Sequence, residues 1–121
     1  MKTQSIDQIG VCSWSLQAAG PRDLAEKVST LGLKKVQLAL TPHRDDAGAW
    51  DGTQEILAES GIEIASGMFS TVGEDYTTLE TIRRTGGVVP DEHWDENLRL
   101  AEAAARAAET IAVKSVTVHA G

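Results

Sequence analysis

Val116-Thr117-Val118-His119-Ala120, followed by Gly121, reads as a parallel β-strand that stops at its C-terminal tip. In α/β proteins such tips are where ligands bind and catalysis occurs. Two earlier strands of the same kind each follow a helix and a glycine. Leu31-Gly32-Leu33 and Ser60-Gly61-Ile62 are helix-Gly-aliphatic junctions set 29 residues apart, the sequence trace of a repeated βα unit. Alternating strands and helices imply a parallel sheet with right-handed crossovers. A closed eight-stranded (β/α) barrel takes about 250 residues, so the 121 residues here match half of one. The expected fold class is therefore α/β, the N-terminal half of a (β/α)8 TIM barrel with about four βα units, ending on the tip of its fourth strand.

The elements follow from periodicity. Gln8 to Trp14 is a short β-prone run, the first strand. Gly20-Pro21 breaks the chain and places a proline near a helix start, and Leu24, Ala25, Val28 and Leu31 form one apolar stripe. Gly32 ends that helix where a left-handed residue is wanted. Lys35 to Leu40 is the second strand, with Val36, Leu38 and Leu40 on one face and Gln37 and Ala39 on the other. Asp51 to Ser60 is a shorter helix and Ile62 to Phe69 the third strand. Ser70 to Asp91 is a long connection with a helical turn around Thr78 to Arg84, and loops of that length are usually functional. Asp91 is expected to N-cap a helix reaching about Ala112, helped by Glu92, Asp95 and Glu96 at the positive end of its dipole. Its buried stripe is read as Leu98, Ala101, Ala105, Ala108 and Ala112, beside Leu100, Ala104, Ala107 and Ile111.

Composition narrows the function classes. A net charge of -7 argues against nucleic acid, which is held by basic faces. Mean hydropathy is -0.18, and no stretch approaches the roughly 18 apolar residues of a membrane span. Met1 to Gly10 has no apolar core of a signal peptide. The single cysteine, Cys12, allows no intrachain disulfide, which fits a reducing compartment. The expectation is a cytoplasmic protein acting on small molecules, without nucleic-acid or membrane partners. No G-x-G-x-x-G follows the first strand and no Walker-type loop occurs, so phosphate-cradling nucleotide chemistry is not expected.

Three residues are candidates for substrate contact. His119 shares its strand phase with Thr117; if Val116 and Val118 pack under helices, Thr117 and His119 face the barrel mouth. It then serves as metal ligand or substrate contact, the plain alternative being a frayed histidine with no role. Gln37 either orients a substrate hydroxyl or satisfies itself inside the sheet. Trp14 forms an apolar wall for a sugar face or is simply an aromatic seeking burial. Cys12 reads as a small core residue rather than a nucleophile. His43 with Asp45 and Asp46 looks like a ligand cluster, but Pro42 and Gly48 favour a solvated loop. His93 has no partner spacing of the H-E-x-x-H type.

Taken together, Gly10-Val11-Cys12-Ser13-Trp14-Ser15, Leu31-Gly32-Leu33-Lys34-Lys35-Val36-Gln37-Leu38, Thr85-Gly86-Gly87 and Val116-Thr117-Val118-His119-Ala120-Gly121 carry a resemblance. The chain resembles the N-terminal half of the sugar phosphate isomerase/epimerase family, the xylose isomerase-like TIM barrels. The resemblance implies a divalent metal (Mn, Mg, Co or Zn) held by Glu, Asp, His and Glu of later strands, which have no counterpart here. The family often carries Glu where this chain has Gln37. His119 matches a histidine that is a zinc ligand in the related apurinic endonucleases, whose further histidine is replaced by the stretch Met68-Phe69-Ser70.

The implied reaction is proton transfer next to a carbonyl of a small carbohydrate, with metal and bases outside this chain. On that basis the polypeptide alone is expected neither to hold the metal tightly nor to turn over a sugar. Trp14, Gln37, His119 and the Ser70 to Pro90 loop would form the pocket wall. The alternatives are a non-catalytic half-barrel that self-associates through its open edge strands, a small-molecule-binding domain with a doubly wound sheet, and an apurinic endonuclease-like DNA repair enzyme.

Overall fold

A computed structural model describes residues 5–121; of the leader reading over Met1 to Gly10, residues 1–4 lie outside the described residues. Four strands, β1 (Val11–Cys12), β2 (Lys35–Ala39), β3 (Glu63–Met68) and β4 (Val116–Thr117), form one parallel sheet in the order β1-β2-β3-β4. They alternate with helices α1 (Pro21–Thr30), α2 (Thr41–Asp45), α3 (Thr53–Glu59), α4 (Leu79–Thr85) and α5 (Trp94–Thr110). The α/β class and parallel sheet are those the alternation implies. Strand order never reverses among the described strands, so the doubly wound alternative, which requires a reversal, is set aside. No helix among the described residues is long and apolar enough to cross a membrane.

Period-2 geometry divides β2 between two faces. Val36 and Leu38 are fully buried against Leu24 and Val28 of α1 and Leu57 of α3, each burial contributing roughly 1.5–3 kcal/mol. Gln37 and Ala39 face the other side. β3 would put Ile64, Ser66 and Met68 on one face, but its pairing with β2 slips by one residue. Val36 lies opposite Ile64 while Gln37 lies opposite Ser66, leaving Ala65 as the extra residue of a bulge. The slip keeps Ile64 on the helix side and turns Ser66 and Met68 onto the face of Gln37 and Ala39. Gly67 then faces Leu40, whose side chain stands 2.8 Å from where a Cβ would be.

Three helices close in the same way. Gly32 N donates to Ser29 O and Leu33 N to Val28 O; Gly61 N donates to Ala58 O and Ile62 N to Leu57 O. Ala112 N donates to Glu109 O (3.1 Å) and Val113 N to Ala108 O (2.8 Å), the same double bond pattern. In each case the next residue, Leu33, Ile62 or Val113, packs into the core. Gly32 and Gly61 hold φ near 70° at no steric cost, whereas Ala112 does so with a side chain, at φ 56°. Ala112→Gly is therefore expected to stabilise the protein by about 0.5–1 kcal/mol, read as a raised urea midpoint with an unchanged slope.

The structure also revises several element readings. The first strand is confined to Val11–Cys12; Gln8 belongs to a 3-10 turn (Ile6–Gln8) and Trp14 to another (Ser13–Leu16). Pro42 opens the short helix α2 rather than marking a solvated loop, since a first-turn proline lacks only an N–H that has no partner there. Asp91 does not N-cap α5: it starts a 3-10 turn (Asp91–His93) and makes no capping bond, and α5 begins at Trp94. The buried stripe of α5 runs through Asn97, Ala104 and Ala108, with Leu100, Ala101 and Ile111 beside it, while Leu98 and Ala105 face solvent. Val116 and Val118 are not packed under helices; they are 36% and 39% exposed because β4 is an edge strand.

Candidate functional site

The C-terminal ends of the strands open into a cleft of about 720 Å³. Its walls come from Trp14 after β1, Ala39 at the end of β2, Met68 of β3, Glu74 and Tyr76 of the following loop, and His119 beyond β4. Thr41, Pro42, Asp45 and Ser70 complete the lining.

Each contributor is positioned by local chemistry. Ser13, buried at 3% exposure, accepts a hydrogen bond through Oγ from Ala39 N (2.8 Å), which ties the turn after β1 to the end of β2. Lys27 of α1 donates to Leu16 O (3.1 Å) and pairs with Asp23 (3.0 Å), while Asp23 accepts from Ala19 N (2.9 Å). Those bonds hold the Ser13–Leu16 turn and leave the indole of Trp14, 43% exposed, on the cleft wall.

Below the cleft, Gln37 spans the sheet. Its Nε2 donates to Thr117 Oγ1 (3.0 Å) and its Oε1 accepts from Cys12 Sγ (3.6 Å). The small Ser66 opposite Gln37 leaves room for the amide to cross β3. Gln37 thus joins β1, β2 and β4 as a polar strut in the layer under the mouth, and both its amide ends already have partners. Cys12 is tied to an amide rather than to a base.

His119 stands where the Gly86-Gly87 turn meets the backbone beyond β4. Val88 N donates to Ala120 O (3.1 Å), and a Cβ on Gly87 would lie 2.3 Å from Ala120 C and Gly121 N. Gly87 also adopts φ 66°, so this contact requires glycine on two counts. The other flank is the loop after β3. Ser70 N donates to Thr41 Oγ1 (3.3 Å), Val72 N to Asn97 Oδ1 (2.8 Å) and Asp75 N to Thr85 Oγ1 (2.9 Å). Asn97, 2% exposed, thereby anchors the loop from α5 and keeps its Nδ2 without a partner.

That loop delivers a carboxylate and a phenol to the histidine. The Glu74 side chain is only 8% exposed. Its Oε1 accepts from both Thr71 Oγ1 and Thr71 N, and its Oε2 accepts from Tyr76 OH (2.7 Å) and lies 3.3 Å from His119 Nδ1. Tyr76 OH also touches His119 Nδ1, and the two rings meet edge to face at 5.5 Å. Burial pushes the Glu74 pKa up, but the bonds from Thr71, Tyr76 and His119 together outweigh it and hold the carboxyl below its ordinary value. Tyr76 is pushed up to about 12, by burial first and then by the Glu74 carboxylate, so its phenol keeps its proton at neutral pH.

No protein-family model matches the chain, and no curated protein and no solved structure matches it.

Of the three candidate residues, Trp14 and His119 share the cleft and Gln37 lies in the layer beneath it. Glu74 and Tyr76 are the residues that sequence reasoning missed; the length of the Ser70 to Pro90 connection was the one signal pointing to them. The His43 cluster does not form: its Nε2 lies 3.1 Å from Thr53 Oγ1, its Nδ1 3.3 Å from Ala39 O and its ring against Trp50, while Asp45 pairs with Arg44 (2.6 Å). Among the described residues no three His, Cys, Asp or Glu side chains group so as to hold a metal ion. In the cleft the reason is visible, because Glu74 is engaged by Thr71, Tyr76 and His119, and Asp45 by Arg44. Of the metal ligands that the resemblance implies, His119 is the one this chain offers in the cleft, and among the described residues it is not joined by a second and third ligand.

Proposed function

We propose that the chain forms the first four βα units of a (β/α)8 barrel of the sugar isomerase/epimerase kind, and that its cleft takes a small hydroxycarbonyl sugar. The observation that carries this reading is the convergence of Trp14, Tyr76 and His119, from three separate segments, on one cleft at the C-terminal ends of parallel strands. That is the face on which such folds bind substrate. A sugar ring or chain presents an apolar C–H face and a polar hydroxyl edge. Trp14 offers the flat apolar surface, and His119 and Ser70 offer polar contacts. The lining carries Asp45 and Glu74 and neither lysine nor arginine, which favours the uncharged sugar over its phosphate and speaks against a nucleic-acid backbone. The reaction this setting suits is proton transfer on the carbon beside the carbonyl.

Calorimetric titration with D-fructose tests the reading. Binding is expected for the native chain, with about a fivefold loss of affinity in Trp14→Ala, corresponding to roughly 1 kcal/mol of aromatic contact. Equal affinity in the two proteins would remove Trp14 from the site. A second reading, self-association, is favoured by the exposed Val116 and Val118 on the open edge strand β4; a concentration-dependent sedimentation coefficient would support it.

A further inference from the structure

We infer that Glu74 is a positioning residue that fixes His119 in the Nδ1–H tautomer, leaving His119 Nε2 as the proton acceptor of the cleft. The protons of four residues, Thr71, Glu74, Tyr76 and His119, fix the tautomer. Thr71 supplies two donors, its N–H and its hydroxyl, and both point at Glu74 Oε1. Oε1 must therefore accept. Tyr76 has one hydroxyl proton, and its oxygen lies 2.7 Å from Glu74 Oε2. His119 Nδ1 faces both that phenol oxygen and Oε2, the latter at 3.3 Å.

If Nδ1 were bare, its lone pair would confront a carboxylate oxygen, and one phenol proton would have to serve both Nδ1 and Oε2. With the proton on Nδ1, every contact has one donor and one acceptor. Nδ1–H is shared between Oε2 and the phenol oxygen, and Tyr76 O–H goes to Oε2. A histidine whose Nδ1–H is held by a carboxylate presents a lone pair at Nε2. His119 lines the cleft and half of its side chain is exposed.

The chemical consequence rests on the sugar reading above and departs from the expectation that every base lies outside this chain. His119 Nε2 takes the proton from the carbon beside the substrate carbonyl. The C–H electron pair becomes the C=C bond of an enediolate, and the carbonyl π pair moves onto oxygen. The imidazolium so formed is balanced by the Glu74 carboxylate across Nδ1–H. Delivery of the same proton to the neighbouring carbon, with an oxygen-bound proton moving in the opposite sense, gives the isomer with no net gain or loss of atoms. Tyr76 takes no part as an acid; its phenol keeps the ring of His119 and the carboxylate in register.

The tautomer is read by ¹⁵N NMR of the histidine ring in the ligand-free protein, so the test does not depend on any sugar binding. At a pH where His119 is neutral, Nε2 in the native chain should give the unprotonated-type signal and Nδ1 the protonated-type one. In Glu74→Gln the amide oxygen stays on Thr71, because both Thr71 groups are donors, and the NH₂ then faces Nδ1. A donor there demands a bare Nδ1, so the major tautomer should invert to Nε2–H. Tyr76→Phe leaves the carboxylate beside Nδ1, and the native tautomer should persist.

A native chain with Nε2 protonated, an unchanged tautomer in a folded Glu74→Gln, or an inversion caused by Tyr76→Phe would each overturn the assignment. If Glu74→Gln does not fold, the native protein and Tyr76→Phe still decide it. Loss of D-fructose binding with the tautomers as stated would leave this assignment standing and remove the sugar reading alone.

Discussion

Gly87→Ala is expected to destabilise the protein by about 3 kcal/mol, the sum of a left-handed backbone penalty of roughly 1–2 kcal/mol and roughly 1–3 kcal/mol of overlap in a packed site. The residue holds φ 66°, and an added Cβ would stand 2.3 Å from Ala120 C and 2.5 Å from Ala120 O. Those are backbone atoms, so no side-chain rotation relieves the contact. The chain beyond β4 must move, and His119 moves with it. A urea titration of Gly87→Ala should show the lower midpoint, and the edge-to-face contact of Tyr76 with His119 should be lost from the ring-current shifts of the histidine. A Gly87→Ala protein of native stability with native His119 shifts would mean that the turn does not press on the strand as described.

Leu38→Ala should be about as damaging, costing about 2–5 kcal/mol. Leu38 has no exposed surface and lies at the centre of the sheet's helix-facing side, among Leu24, Val36, Leu40 and Leu57. Truncation leaves a cavity that the surrounding strands and helices cannot fill without breaking their own hydrogen bonds. Because β2 is paired on both sides, the loss should reach Gln37 and Ala39 and hence the floor of the cleft. The check is again the urea midpoint, with the slope indicating whether the denaturation remains a single cooperative step. A loss below 1 kcal/mol would show that this core is not packed as the burial implies.

What the sequence disclosed, it disclosed through periodicity and glycine. The α1–β2 and α3–β3 junctions were legible because Gly32 and Gly61 stand at left-handed closing positions before Leu33 and Ile62. The third closure uses the same hydrogen bonds but places Ala112 where glycine is expected, and so α5 was read as running through its own stop signal. Pro42 was read with Gly48 as the mark of a solvated loop although proline is equally a helix opener. The bulge at Ala65, which turns Ser66 and Met68 onto the face of Gln37, has no local signal, since it arises from pairing with β2.

The candidate site divides the same way. Trp14 and His119 were legible because they sit next to strands. Glu74 and Tyr76 were not, since a loop has no period to aim its side chains. Their placement depends on Thr41 and Asn97, remote in sequence, and on Thr85 farther along the same connection, which accept the loop's backbone N–H groups.

If the strand tips form one substrate cleft walled by Trp14, Tyr76 and His119, a two-dimensional NMR titration with D-fructose will show it in the Trp14 indole N–H, the Tyr76 ring and the His119 ring together. The account predicts that these three groups shift with one common saturation curve while Trp50 and Trp94, outside the cleft, stay in place. Shifts confined to Trp50 or Trp94, or no saturable shift at any of the three, would contradict it.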